Sequence, residues 1–323
     1  MQHACRGCRA WGRGRIVCAS RGIIRRSRLT DAVAATKHRL EVLAAAALFS
    51  TGGMAIKATT LTSWQVACFR SAIAGAMVFV LLKAARRGWT WHVLPVAVCY
   101  AATMVLFVGA NKFTTSANAI FLQDTAPLYV LLASPFLLRE KITRRDLAFI
   151  GVMAVAMSLF LLERPPAAAT APNPGLGNVL ALLSSVFWAA TVMGMRWLNS
   201  RPGAGDSLAL VVAGNAIACL ACLPFALPAS PAPVDFAVVG YLGVFQIGLA
   251  YVLLSAGMRH VTALEASILL LLEPALNPFW TWIVHGENPG VWALVGGAVI
   301  LGATVVKTTV DRRVAVSADA PVG

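Results

Sequence analysis

The chain returns repeatedly to uninterrupted apolar runs about as long as a bilayer is thick. Ten of them read at 40–58, 65–83, 93–110, 118–138, 146–162, 176–197, 207–227, 236–257, 263–285 and 290–308. A spanning helix needs about 20 mostly apolar residues. Lipid offers the backbone no hydrogen-bond partner, so such runs are forced into helices. The expected fold class is therefore all-α, a polytopic membrane protein with ten transmembrane helices. Composition agrees: 12% of the residues are charged, where a soluble domain carries about a quarter.

The net charge of +14 does not point to nucleic acid. The first 36 residues hold eight arginines, and most other cations sit in short loops between apolar runs. That is a topology signal rather than a binding face. With the N-terminus in the cytoplasm, cytoplasmic segments hold 23 Lys and Arg, and outer loops hold only Lys112 and Arg164. Both termini are expected to be cytoplasmic, in a bacterial-type inner membrane. The seven cysteines are scattered, and no metal-ligand spacing is completed. No cofactor is expected.

The chain also repeats itself. Shifted by 147 positions, residues 112–152 fall on 259–299 without a gap: KFTTSANAIFLQDTAP meets RHVTALEASILLLLEP. Thr115 meets Thr262, Pro127 meets Pro274 and Glu140 meets Glu287. A run of landmarks in one register reads as duplication. Each unit has five helices, an odd number, so the second enters the membrane inverted. The organisation read from this is a basic, disordered cytoplasmic tail (1–39), a first five-helix repeat (40–162), a Pro/Ala-rich linker (163–175), a second repeat (176–308) and a cytoplasmic C-terminal tail (309–323). Inverted repeats are typical of secondary transporters, with sites near the midplane between them.

These features resemble the drug/metabolite transporter superfamily, specifically its EamA type. The likeness rests on KFTTSANA and RHVTALEAS, on the prolines of DTAP127 and LEP274, and on the closing glutamates of LLRE140 and HGE287. LFSTGGMAIK57, LLSSVFWAATVMGMRWL and Arg70 resemble the family's repeat starts. The resemblance covers about residues 40–308. It implies a permease for a small metabolite, such as an amino acid, a related amphiphilic compound or a drug. Export by alternating access without ATP is expected, with proton coupling and a homodimer left open. The two halves are not chemically equivalent: Met195 falls where Lys57 stands, Leu271 opposite Asp124, and Ala126 opposite Glu273.

Charges inside spans are costly and usually face a cavity or a partner. Lys57, Arg70, Asp124 and Glu273 are the four to explain. Counting 1.5 Å per residue puts the first three in the outer half, where they are expected to cluster, with Lys57 or Arg70 meeting a substrate anion. A structural pairing is the alternative. Glu273 lies near the midplane with Asn277 one turn on, and Pro274 and Pro278, like Pro127, free backbone carbonyls. Glu273 is read either as a coupling or binding group or as a neutral acid bonded to a neighbouring helix. Trp188, Tyr251 and Trp280 either shape a pocket or pack; Asn215 and Gln246 are read as inter-helix bonds.

An enzyme is not expected. Gly203-Ala-Gly-Asp206 matches an intramembrane protease string but lies in a loop, where Asp206 reads as a helix N-cap. No HExxH, GxSxG or phosphate loop occurs. A channel and a non-transporting scaffold or sensor remain the rival readings.

Overall fold

The computed structural model describes residues 37–137, 143–162, 168–201, 203, 205–257 and 269–318. These residues are almost entirely helical, and the one β-feature among them is an isolated bridge between Ala168 and Ala171. In chain order the helices are α1 (Lys37–Lys57), α2 (Ser63–Leu81), α3 (Val93–Phe113), α4 (Ser116–Gln123), α5 (Ala126–Leu137) and α6 (Arg144–Leu162). They continue with α7 (Pro174–Ser200), α8 (Ser207–Ala226), α9 (Pro233–Gly257), α10 (Leu272–His285) and α11 (Val291–Ala318). Among the described residues six helices are long and apolar enough to cross a membrane: α1, α2, α3, α8, α9 and the Pro174–Met195 part of α7. The chain is a polytopic membrane protein.

Local sequence explains where several helices start. Thr62 and Gln65 form a reciprocal cap on α2: Thr62 Oγ1 accepts from Gln65 N at 3.3 Å, and Gln65 Oε1 accepts from Thr62 N at 3.0 Å. Asp206 caps α8, accepting from Leu208 N at 2.7 Å, which is the structural role its position suggested. Asp235 opens α9, accepting from Ala232 N at 2.8 Å and from Thr60 N and Oγ1 of the α1–α2 turn.

Hydrogen bonds and ion pairs gather one set of helix ends together. The C-terminus of α1, the N-terminus of α2, the C-terminus of α3 and the N-termini of α4 and α7 meet there. The C-terminus of α8, the N-terminus of α9 and the α10–α11 turn join them. Between the ends, α3 packs on α7 and α8, α2 on α8 and α9, α4 on α7 and α10, α1 on α10, and α6 on α11. Lys307 and Asp146 tie the last pair at 2.7 Å.

Regular helix geometry is broken in two ways. The run read at 118–138 breaks at Asp124–Thr125, and the run read at 263–285 turns at Leu271. The two breaks stand 147 residues apart, in the register of the sequence repeat. Each is followed by a proline, Pro127 in the first turn of α5 and Pro274 in the first turn of α10. The missing proline N–H cannot bond the carbonyl four residues back, which is why the helix yields just before it. These prolines therefore start helix segments, while Pro278 lies inside α10. The second departure is a π-helical stretch, Leu242–Leu249, within α9. There Gly243 lets α9 press onto α2: a Cβ on it would stand 2.6 Å from Ile73 and 3.0 Å from the Arg70 carbonyl.

Candidate functional site

Arg70 organises the first of two polar clusters. It sits on α2 with 1% of its surface exposed. Its Nη2 donates to Met104 O at 3.0 Å, while Nε and Nη1 have no protein partner. Tyr100 of α3, Tyr251 of α9 and Cys222 of α8 face it within electrostatic reach. The two tyrosine rings stand 5.2 Å apart, edge to face, and Phe49 of α1 packs on Tyr251 at 5.0 Å. Asn215 of α8 donates to the Tyr100 hydroxyl at 3.1 Å and to Val211 O at 2.8 Å, the inter-helix bond read from sequence.

Glu273 and Asp124 complete this region. Glu273 is half-buried on α10, within electrostatic reach of Asp124 and Tyr251. Asp124 stands at the α4–α5 break, with its Oδ2 buried and without a partner. Polar rungs hold that break against α7: Gln123 Nε2 donates to Ser184 Oγ at 2.8 Å, and the Thr125 and Ser185 hydroxyls meet at 2.9 Å. Tyr251 thus stands between Tyr100 and a guanidinium with free donors on one side and the two carboxylates on the other. The set has hydrogen-bond donors for an anion and acceptors for a cation or a proton.

Lys57 does not join Arg70 and Asp124 as expected. Its ammonium turns to the second cluster, where it pairs with Glu287 at 3.4 Å. It also donates to Thr114 O at 2.8 Å and to Thr170 O. The pair is almost sealed, with side-chain exposures of 3% and 5%. Glu287 also accepts from Ser116 N at 3.0 Å. Burial pushes its carboxyl above the ordinary value of 4.5, against the pull of Lys57, the Ser116 N–H and His285. Lys112 of α3 bonds Thr59 O at 2.8 Å, so the two lysines lace α1 and α3 crosswise. Counting rise per residue located Lys57 at the correct end of α1 but could not see its partner. Glu287 was visible only as a repeat landmark; its signal was a carboxylate closing an apolar run.

The remaining residues spread outward. Asn277 is fully buried between these clusters. Trp280 donates to Ser50 Oγ at 3.0 Å and packs on Phe279, a bond between α10 and α1. Trp188 is half-buried on α7, one turn beyond Ser184. Tyr100, Asn111 and Ser116 belong to the clusters and were not singled out from sequence. Neutral residues of this kind in an apolar run carry no distinguishing signal.

Comparison with known proteins gives these clusters a context. A family model described as the EamA-like transporter family matches residues 40–162 and 175–309. A protein named pseudopaline exporter CntI, from Pseudomonas aeruginosa, is 24% identical over 76% of this chain and 86% of its own length. An uncharacterised transporter of Archaeoglobus fulgidus is 26% identical over 66% of this chain and 74% of its own. A solved crystal structure superposes with a TM-score of 0.60 at 20% identity, covering 86% of this chain and 99% of the other. That last likeness speaks to the fold alone.

Proposed function

Because this chain belongs to the EamA-like transporter family, we propose that it is a secondary exporter of a small amphiphilic metabolite, such as an amino acid or a related compound or drug. It works by alternating access in a bacterial-type inner membrane, as ten helices in two inverted five-helix repeats with both termini cytoplasmic. Glu273 takes up and releases a proton in the cycle. The relative named as a pseudopaline exporter supports the outward direction.

The observation that carries this reading is the composition of the central cluster. Arg70, Tyr100 and Asp124 come from the first half, and Tyr251 and Glu273 from the second. A site shared between halves is what rocking of one repeat against the other requires. The packing supports the inversion. Exchanging each element for its counterpart in the other half turns α3 on α8 into α9 on α2, and α5 on α7 into α10 on α1; both pairs of contacts occur. In this frame the Lys57–Glu287 pair joins the halves at the outer face and closes it.

The test compares intracellular and extracellular metabolites in cells lacking the protein, expressing it, and expressing Glu273→Gln at matched membrane levels. One compound class should leave the cells with the wild type and be retained with the variant. Transport that survives the substitution would make Glu273 structural. Flux that fails to saturate would favour a channel, and no flux of any compound would favour a scaffold.

A further inference from the structure

Asn277 presents a problem the transport site does not use. Its amide is completely buried, yet neither Nδ2 nor Oδ1 bonds a protein group. A buried polar group normally has a partner, and a solitary orphan amide would cost on the order of 1–3 kcal/mol. Its surroundings suggest the reason. A Cβ on Gly53 of α1 would lie 2.5 Å from Asn277 Oδ1, 2.5 Å from Ser116 Oγ and 3.0 Å from Asn111 Oδ1. Three helices therefore aim side-chain oxygens at one point of α1, and only the glycine leaves room for them. Ser116 Oγ donates to Asn111 Oδ1 at 2.9 Å, and Ser116 N donates to Glu287 Oε1 at 3.0 Å.

These contacts form a line. Glu273 and Asn277 share a face of α10 one turn apart. Asn277 meets Ser116 and Asn111 at Gly53, Ser116 meets Glu287, and Glu287 meets Lys57 at the bundle end. At the opposite end Val93, Ala97, Met195, Leu198 and Leu210 pack together between α3, α7 and α8. The polar groups named here run from Glu273 to the Lys57–Glu287 end of the bundle.

We infer that this seam, through Asn277, Ser116 and Asn111 around Gly53, is a hydrated proton-access path joining Glu273 to the Lys57–Glu287 end. The inference rests on the proposed protonation of Glu273. Water held by the Asn277 amide and the Ser116 hydroxyl carries the proton by hydrogen-bond exchange. A hydronium at the bundle end gives up one proton, the Glu273 carboxylate gains it, and no redox partner is involved. Glu287 guards the entrance, faced by Lys57 from α1, by the Ser116 N–H from α4 and by His285 from the end of α10. Glu273 is faced by Asp124 from the α4–α5 break and by Tyr251 from α9, with Tyr100 and Arg70 behind Tyr251. In the proposed orientation the path opens outward, so protons enter from outside while substrate leaves.

The experiment follows the protonated-carboxyl infrared band of the full chain reconstituted in phosphatidylcholine liposomes after a jump in external pH. It needs no substrate. Glu273→Gln identifies the band by removing it. Asn277→Leu should keep the band but slow its response about tenfold or more, a barrier higher by about one hydrogen bond. Asn277→Ser keeps a polar group and should stay fast. Gly53→Ala keeps every polar group and fills the point where they converge, so it should also be slow, which guards against misfolding of the leucine variant. A band that follows pH equally fast in wild type, Asn277→Leu and Gly53→Ala overturns the path and leaves the protonation of Glu273 standing. A wild type without any Glu273 band between about pH 5 and 9 overturns both.

Discussion

Replacing Lys57 by Met should destabilise the protein far more than replacing Glu287 by Gln, and by an amount that depends on pH. At 3.4 Å and an effective dielectric constant near 20, the gross attraction of the pair is about 5 kcal/mol. Losing one member of a buried pair typically costs about 3–5 kcal/mol, because the other is left buried and uncompensated. Lys57→Met also strips the donor from Thr114 O and Thr170 O. Glu287→Gln is milder, at about 1–3 kcal/mol, since the amide oxygen still accepts from Ser116 N and Lys57 keeps both carbonyls. The pH dependence follows from the raised carboxyl of Glu287. An acid whose folded value lies above its ordinary one binds more protons folded than unfolded. Its favourable contribution is fully present below about pH 4.5 and is lost as pH rises through the folded value. Without Lys57 the folded value climbs further, so the loss at neutral pH grows and acidification recovers part of it. Unfolding by SDS in mixed micelles, with the double variant closing the cycle, measures these terms. Equal costs for the two single variants, or a Lys57→Met deficit unchanged between neutral and acidic pH, would refute the reasoning.

Two structural predictions accompany this one. Asp235→Ala removes three hydrogen bonds, to Ala232 N and to Thr60 N and Oγ1, and should cost about 2 kcal/mol in the same unfolding assay. Gly243→Ala puts a methyl 2.6 Å from Ile73 and 3.0 Å from the Arg70 carbonyl. It should cost about 1–3 kcal/mol and lower transport at matched expression, because Arg70 moves with its backbone.

Much of the fold was legible because lipid removes choices. A run such as 93–110, LPVAVCYAATMVLFVG at its heart, has nowhere to place its backbone groups except a helix, and α3 spans Val93–Phe113. The two breaks were legible as well, since Pro127 and Pro274 each fall inside an apolar run and remove a helix N–H there. What sequence could not supply was the exact place of the disturbance. The helices yield at Asp124–Thr125 and Leu271, a few residues before each proline, where the unpaired carbonyl lies. The site was legible in kind and not in pairing. An intramembrane charge announces itself, so Arg70, Asp124, Glu273 and Lys57 all stood out. Rise per residue gives depth along one helix but says nothing about which helix faces which. That is why Lys57 was grouped with Arg70 and Asp124, when the turn after α10 brings Glu287 to it.

In the proposed inverted-repeat carrier, the unequal chemistry of the two halves has a physical use. A perfectly symmetric pair of inverted repeats would have equal closures at both faces and equal energies for its two end states. Here Lys57 has Met195 as its counterpart, so the buried pair with Glu287 exists at one face in a form the other cannot copy. Asp124 and Glu273 likewise stand on opposite halves without matching each other in register. Symmetry of backbone allows the two states to interconvert, and asymmetry of charge makes them respond differently to a proton. If Glu273 is filled from the Lys57–Glu287 end, the free energy of that closure and the protonation of the site are coupled through Ser116 and Asn277. Only a difference in interaction between states can shift their populations. In the proposed path, the polar seam supplies that difference at the Lys57–Glu287 end.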